Sequence, residues 1–521
     1  MNKVKSIPPS VLNDVIGPIM RGPSSSHCAA ALRIGRIARD LMKNNIQEVL
    51  VEFDKNGSLA TTHKNQGSDM GLFGGLLGMN ADDERLINSE SALVDAGIKL
   101  EVKIHQIGAI HPNTYKLTLA NKNNQHQIIA ISTGGGMIKI IELDGLPILM
   151  KGDYFETIIY TKKNGEKLLD EILNRLSADE ILFHKGNGFE IVEIKSQNFL
   201  NESLKVKILA KENVIDIKEI NPVLPILSTK NTSVPFITCK EMNEFNREKN
   251  WSLWELAQYY ESQRGNITEQ EVFEKMNTVV QVIKYSISQG LAGTEYEDRI
   301  LGYQSGKFIE TEKQNKLLNG GLLNTIIPYV TAMMEIKSSM GKIVAAPTAG
   351  ACATLPGTCV AVGKEMNLSD DDITKAMLAA GLIGIFIAAH STFAAEVGGC
   401  QAEGGSASGM TAAALISIMN GKAEQATSAA SMAIQNMLGL ICDPVANRVE
   451  VPCLGKNVMA ASNALCCANM SLSNFETVIP LDEVIDTMNK VGDSLPSELC
   501  CTALGGLSIT KTSKEIERRL A

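Results

Sequence analysis

The stretch from Glu396 to Asn457 constrains this 521-residue chain more than any other. It holds Cys400, Cys442 and Cys453, each set among Gly, Pro or Asp rather than in an apolar run. The intervals are 42 and 11 residues. Between the first two cysteines lies a long Ala/Met/Ile segment whose composition predicts helix. Cys400 thus precedes a helical segment, and the other two follow it. An antiparallel return of the chain would bring three thiols to one point. A structural zinc or electron-transfer cluster normally has every metal position filled by protein. Three thiolates and no evident fourth ligand would instead leave one position open, where a metal can bind substrate and act as a Lewis acid. No CxxC pair marks the stretch, so three buried core cysteines are the plain alternative.

The length predicts two or three domains. Apolar residues make up 44% and aromatics 5%, with 43 Gly and 21 Met, which suits closely packed helices rich in small residues. The net charge of −9 without a basic run argues against nucleic acid or an anionic membrane as partner. Eleven cysteines in so long a chain argue against a disulfide scaffold, and no signal peptide opens the sequence, so a cytoplasmic location is expected. The apolar run Ala376 to Ala395 is long enough to test as a membrane span, but His390, Ser391 and Thr392 mark it as a core helix.

Three regions follow from the pattern. Residues 1–150 read as an α/β domain, with strands near 48–53, 100–105, 115–119 and 127–132 and a helix from Ala29 to Leu41. Residues 151–232 read strand (156–161), helix (165–176), strand (180–184), strand (189–194), an unassigned segment and strand (214–220). This resembles a small ACT-like or ferredoxin-like α+β module. Residues 233–521 read as an all-α domain, with helices over 276–290, 320–339, 350–366, 371–393, 408–419, 424–439, 457–469 and 481–490. Cys352 and Cys359 fall on a core helix. The adjacent pairs Cys466-Cys467 and Cys500-Cys501 point their side chains apart, so neither pair is built to share one metal.

Several turns carry polar chemistry. Pro23-Ser24-Ser25-Ser26 is N-cap sequence for the helix that follows, with His27 in its first turn. A helix start with hydroxyls and unpaired N–H groups suits a carboxylate. Thr348-Ala349-Gly350, in AAPTAG, offers a second such cradle; alone it is only an N-cap. TTHKNQGSDMG, from Thr61, feeds a Gly-rich helix. The three glycines of IAISTGGGMIKI suit either a strand passing close to a ligand or a tight hairpin.

Taken together, GLICDPVANRVEVPC, CQAEGGSASGM, IVAAPTAGACATLPG, GPSSSH and HPN resemble the iron–sulfur L-serine dehydratases, in the same order, over about 1–145 and 235–510. The resemblance implies β and α parts fused in one chain. It also implies Cys400, Cys442 and Cys453 as ligands of a 4Fe-4S cluster with one open iron, no pyridoxal phosphate, and a homodimer. Ser24, Ser25, Ser26, Asp69, His111, Asn113, Thr348, Ala349 and Gly350 are then substrate residues. Some members of the family end in a cysteine that reaches the cluster; this chain ends KEIERRLA, so the open iron is expected to be free for water or substrate.

One departure bears on mechanism. The family pattern is close to T-G-K-G-H-x-T-D, and by that register Gln66 stands where a histidine base is expected. Gln cannot take a proton from carbon, which leaves His63, His27 or Lys64. The implied activity is an oxygen-sensitive carbon–oxygen lyase of amino-acid degradation, turning L-serine into pyruvate and ammonia. A related β-hydroxy or β-substituted amino acid is the alternative substrate. A non-catalytic cluster protein that binds or senses an amino acid is the alternative of another class.

Overall fold

A computed structural model describes residues 7–168, 178–186, 188–297 and 299–520. The chain is multidomain, mixed α/β in its N-terminal region and helical in its C-terminal region. It divides into two compact units. One comprises 27–133 and 137–232. The other gathers the described residues up to Ser26, the three glycines Gly134–Gly136, and everything from Ser233 onward.

The α/β unit contains a six-stranded sheet. Its strands are β1 (Glu48–Asp54), β2 (Lys99–His105), β3 (Thr114–Ala120), β4 (Gln125–Gly134), β5 (Met137–Leu143) and β6 (Leu146–Met150). The order is β2-β1-β3-β4-β5-β6, with β1 and β2 parallel and β3 antiparallel to both β1 and β4. β5 and β6 are additions to the strands that the sequence predicts. The triple glycine is the hairpin between β4 and β5, and all three residues have positive φ. Helix α1 (Ala30–Leu41) packs on α2 (Ser68–Leu76). The two backbones approach so closely that a Cβ on Gly75 would lie 2.2 Å from the Leu32 carbonyl oxygen.

A second sheet in this unit has β7 (Phe155–Thr161), β8 (Glu180–Lys185), β9 (Glu190–Ser196) and β10 (Val214–Ile220) in the antiparallel order β10-β7-β9-β8. The unassigned segment before β10 contains helix α3 (Glu202–Leu209). Beyond Leu168, the helix expected over 165–176 lies outside the described residues.

The helical unit is built from α4 (Leu253–Gly265), α5 (Glu269–Ala292), α6 (Leu322–Ser338), α7 (Thr354–Glu365), α8 (Asp370–His390), α9 (Ser406–Ile418), α10 (Ala423–Gln435), α11 (Cys453–Leu472) and α12 (Leu481–Ser494), with shorter helices between. Thr268 caps α5 and Ser369 caps α8, each in a capping box. α8 alone among the described helices is long and apolar enough to cross a membrane. It packs instead against α4, α5 and α9, with Leu378 through Ile387 buried. The N-terminal segment belongs to this unit. Ile19–Arg21 pairs antiparallel with Lys342–Val344. Glu261 of α4 accepts from the Ser10 hydroxyl and from the N–H groups of Val11 and Leu12, at 2.5, 2.8 and 3.3 Å.

Candidate functional site

In the helical unit, α9 and α10 form an antiparallel hairpin, turned at Asn420 and Gly421. Cys400 stands before the hairpin, Cys442 in the loop after it, and Cys453 opens α11. All three are buried. Sulfur of Cys400, sulfur of Cys442 and a carboxylate oxygen of Glu403 lie within 4.8 Å of one another. Cys453 is close enough for the Cys400 charge to raise its pKa further, beyond the larger effect of burial. A fourth thiol, Cys501, packs with Cys400 and Cys442.

The electrostatics here are compatible with a bound cation. The neighbouring Cys400 and Cys501 thiols, and then burial, push Cys442 well above the ordinary thiol range. Burial pushes Glu403 up to about 7, against the Thr348 hydroxyl that bonds it. Lys456 is the charge that compensates. It reaches Cys400 sulfur at 3.6 Å, the Ile441 carbonyl at 2.7 Å and Asp443 at 3.0 Å. Burial opposes its charge, but Cys400 and Asp443 outweigh that and raise its pKa. Buried thiols that raise one another's pKa ionise readily only when a metal takes the charge. The donor set of Cys400, Cys442 and Glu403, with Cys453 close by, is compatible with a thiolate-held metal group.

The polar turns of this unit reach the same place. Thr348 donates to Glu403 and accepts from the Ala351 N–H at 3.2 Å. The Ala349 N–H donates to the Ser25 hydroxyl at 3.1 Å, joining the serine turn to the Thr348 turn. Asn457, one turn into α11, accepts from the N–H groups of Ala353 and Thr354 and donates to the carbonyls of Gly350 and Cys453. The Asn457 carboxamide thus caps α7 from another helix, and α7 begins at Thr354 rather than at residue 350. The N–H groups of Ala349, Ala351, Ala353 and Thr354 are satisfied internally; among the described residues, those of Thr348 and Gly350 are not. A Cβ on Gly350 would lie 2.4 Å from a Glu403 oxygen, so a larger residue there would displace the Glu403 carboxylate. The serines do not cap α1 as the sequence predicts, for its N-cap is Ala29, with no side-chain cap bond.

The α/β unit holds the other predicted residues. His63 Nδ1 lies 2.8 and 2.9 Å from the two carboxylate oxygens of Asp69, which stands in the first turn of α2. That leaves Nε2 as the nitrogen able to take a proton. His27 is fully buried, and burial lowers its pKa to about 3. Its Nε2 meets the Thr62 hydroxyl at 2.8 Å, and that hydroxyl donates to the Ser58 carbonyl. The Thr62 proton is thereby taken, so His27 Nε2–H is the donor. Lys64 is exposed. His111 Nδ1 accepts from the Asn113 N–H at 3.1 Å; burial, and then Lys139, lower the His111 pKa. Asn113 is buried, with its Oδ1 unpartnered. Gln66 is buried, and its N–H donates to the Thr62 carbonyl at 2.9 Å.

Sequence reasoning did not find Glu403, Lys456, Asp443, Asn457 or Cys501. The first four lie within the stretch it singled out, and their polar types amid apolar helix ends were the available signal. Cys501 was set aside because its pair diverges. The two side chains do point apart, Cys500 toward the Val397 carbonyl and Cys501 toward Cys442.

Fold and site define a class of protein with a helical unit that carries buried thiols gathered around Glu403 and an α/β unit N-terminal to most of it. Residues 248–508 match the family model for the serine dehydratase alpha chain. The chain is 36% identical over 285 residues to the probable L-serine dehydratase, alpha chain, of Bacillus subtilis, covering 55% of this chain and 95% of that one. It is 40% identical over 141 residues to the probable beta chain of the same organism, covering 27% and 63%. It is 26% identical over 500 residues to L-serine dehydratase 1 of Escherichia coli, covering 94% and 96%. The chain belongs to the L-serine dehydratase family, with beta and alpha parts fused.

Proposed function

We propose that this protein is an L-serine ammonia-lyase that converts L-serine to pyruvate and ammonia, with an iron–sulfur group held by Cys400, Cys442 and Cys453. One observation carries the reading: the Cys400 and Cys442 thiols and the Thr348–Gly350 turn meet at Glu403 in a single unit, with Cys453 near enough to feel the Glu403 charge. Relatives named L-serine dehydratase along the whole chain support it. A 4Fe-4S cluster with one iron not held by protein is the form that three thiols suit. A reducing cytoplasm is the setting we propose, since the eleven cysteines are all free.

L-Serine must lose its Cα proton and its β-hydroxyl, and hydroxide is a poor leaving group. When bound, the iron–sulfur group supplies a Lewis acid for the departing oxygen. The protein supplies the rest. The Gly350 N–H, in a turn fixed by Ser25 and Asn457, is our donor for the substrate carboxylate. Thr348 holds Glu403 in place. Asn113 of the α/β unit, its Oδ1 buried without a partner, is kept as a substrate residue on the family resemblance alone. His63 is the base we assign, since Asp69 fixes its Nδ1 and steadies the imidazolium formed on proton transfer. His27, held neutral by burial, positions Thr62 instead. The aminoacrylate released hydrolyses to pyruvate and ammonia.

The test is purification without oxygen, followed by visible absorption, iron and sulfide analysis, and pyruvate release from L-serine. Brown protein with about four irons and pyruvate release bears the proposal out. Brown protein inert toward L-serine overturns the substrate, and colourless protein without iron or sulfide overturns the centre.

A further inference from the structure

Cys501 belongs to none of the motifs that resemble the family, yet it packs against the centre. It is buried with Cys400, Cys442, Ala395 and Leu440 in one cluster. The backbone holds it there. The Cys442 N–H donates to the Leu499 carbonyl at 2.8 Å, and the Cys501 N–H donates to the Cys442 carbonyl at 2.9 Å. Cys500 pairs with Cys442 as an isolated parallel bridge, so the ligand loop and the 499–501 segment are in fixed register. Cys501 itself has φ of 59°, a left-handed conformation uncommon for a residue with a side chain. Such conformations persist where the surroundings impose them, and they cluster at functional sites.

We propose that Cys501 is a positioning and tuning residue of the centre, its S–H donated to the sulfur of Cys442 when Cys442 holds the metal group. The inference rests on the iron–sulfur reading given above. A metal-holding Cys442 is a thiolate, an acceptor only, so an adjacent protonated thiol can act only as its donor. Hydrogen bonds to the sulfur ligands of such a group set its reduction potential, because they draw charge off the sulfur and favour the reduced form. In this arrangement Cys501 is a neighbour of the centre and not one of its ligands, which leaves the open position to substrate.

The experiment compares the wild type, Cys501→Ala and Cys501→Ser as full chains loaded without oxygen. Reduction potentials come from titration followed by electron paramagnetic resonance, and the iron sites from Mössbauer spectra. The alanine variant should show a lower potential. The serine variant, with a stronger O–H donor, should match or exceed the wild type. Iron content and the partition among iron sites should be the same in all three. Equal potentials in all three overturn the proposal. So does a newly distinct iron site in the alanine variant, which would make Cys501 a ligand. If the alanine variant does not load, wild type against serine decides: a serine potential below that of the wild type overturns the proposal. Wild-type protein without iron and sulfide overturns the functional reading itself, and this inference with it.

Discussion

Cys442 is the residue on which the thiol chemistry converges, since the Cys400 and Cys501 thiols both act on it. Cys442→Ala should therefore remove the metal group; bound iron and sulfide in that variant, measured after loading, would contradict its assignment. The two histidines separate by environment. His63→Ala should abolish pyruvate release and leave visible absorption intact, and a near-normal rate would move the base elsewhere. His27 makes a prediction about stability. Its buried imidazole binds no proton until about pH 3, whereas the unfolded chain takes one up below about 6.5. The stabilisation is thus complete above pH 6.5 and is lost as pH falls, at about 1.4 kcal/mol per pH unit. Thermal melts should show His27→Gln losing less stability than the wild type between pH 6.5 and 4.5. An identical slope would count against neutral burial. At this scale the three candidate cysteines stood out, because Gly, Pro and Asp set them apart from apolar runs, and the structure brings Cys400 and Cys442 together. Cys501 was not, because nothing local tells a thiol aimed at a centre from one aimed at a backbone carbonyl.

Among the elements, α11 does two jobs at one end. Cys453 opens it, and Asn457, one turn on, ties the Gly350 turn and the start of α7. Asn457→Ala leaves the N–H groups of Ala353 and Thr354 without their acceptor, at a cost of about 1–3 kcal/mol each if they stay buried. The variant should raise KM for L-serine at least tenfold while iron content stays that of the wild type; unchanged KM would show that the turn holds without it. Helix positions followed from small-residue periodicity, and the long core helix α8 was legible from its polar tail. Boundaries were less so. The start of α7 slipped by four residues because a cap from a distant helix leaves no local signal. β5 and β6 were missed because the triple glycine read equally well as a ligand approach.

For the whole molecule, the sequence showed an α/β region before a helical one, and the chain has both. It did not show that the first described residues belong with the last, since the Ser10–Glu261 and Ile19–Val344 contacts have no pattern of their own. Aeration tests the assembled enzyme. An iron not held by protein is lost readily to oxidation, so activity should fall on exposure to air and return with ferrous iron and sulfide under reductant; activity indifferent to prolonged air would argue against a catalytic cluster. The pairing of Ile19–Arg21 with Lys342–Val344 also has a consequence in time. At roughly 5–20 residues per second, the ribosome needs about 15–60 s to make the later strand after the earlier one has emerged. For that interval Val11, Leu12, Val15 and Ile16, all buried in the finished protein, have no core to enter. These residues are thus fixed late, and the nascent chain carries an apolar segment that suits a holding chaperone until synthesis passes α8, whose Gly381 and Gly384 face Val11, Val15 and Ile16.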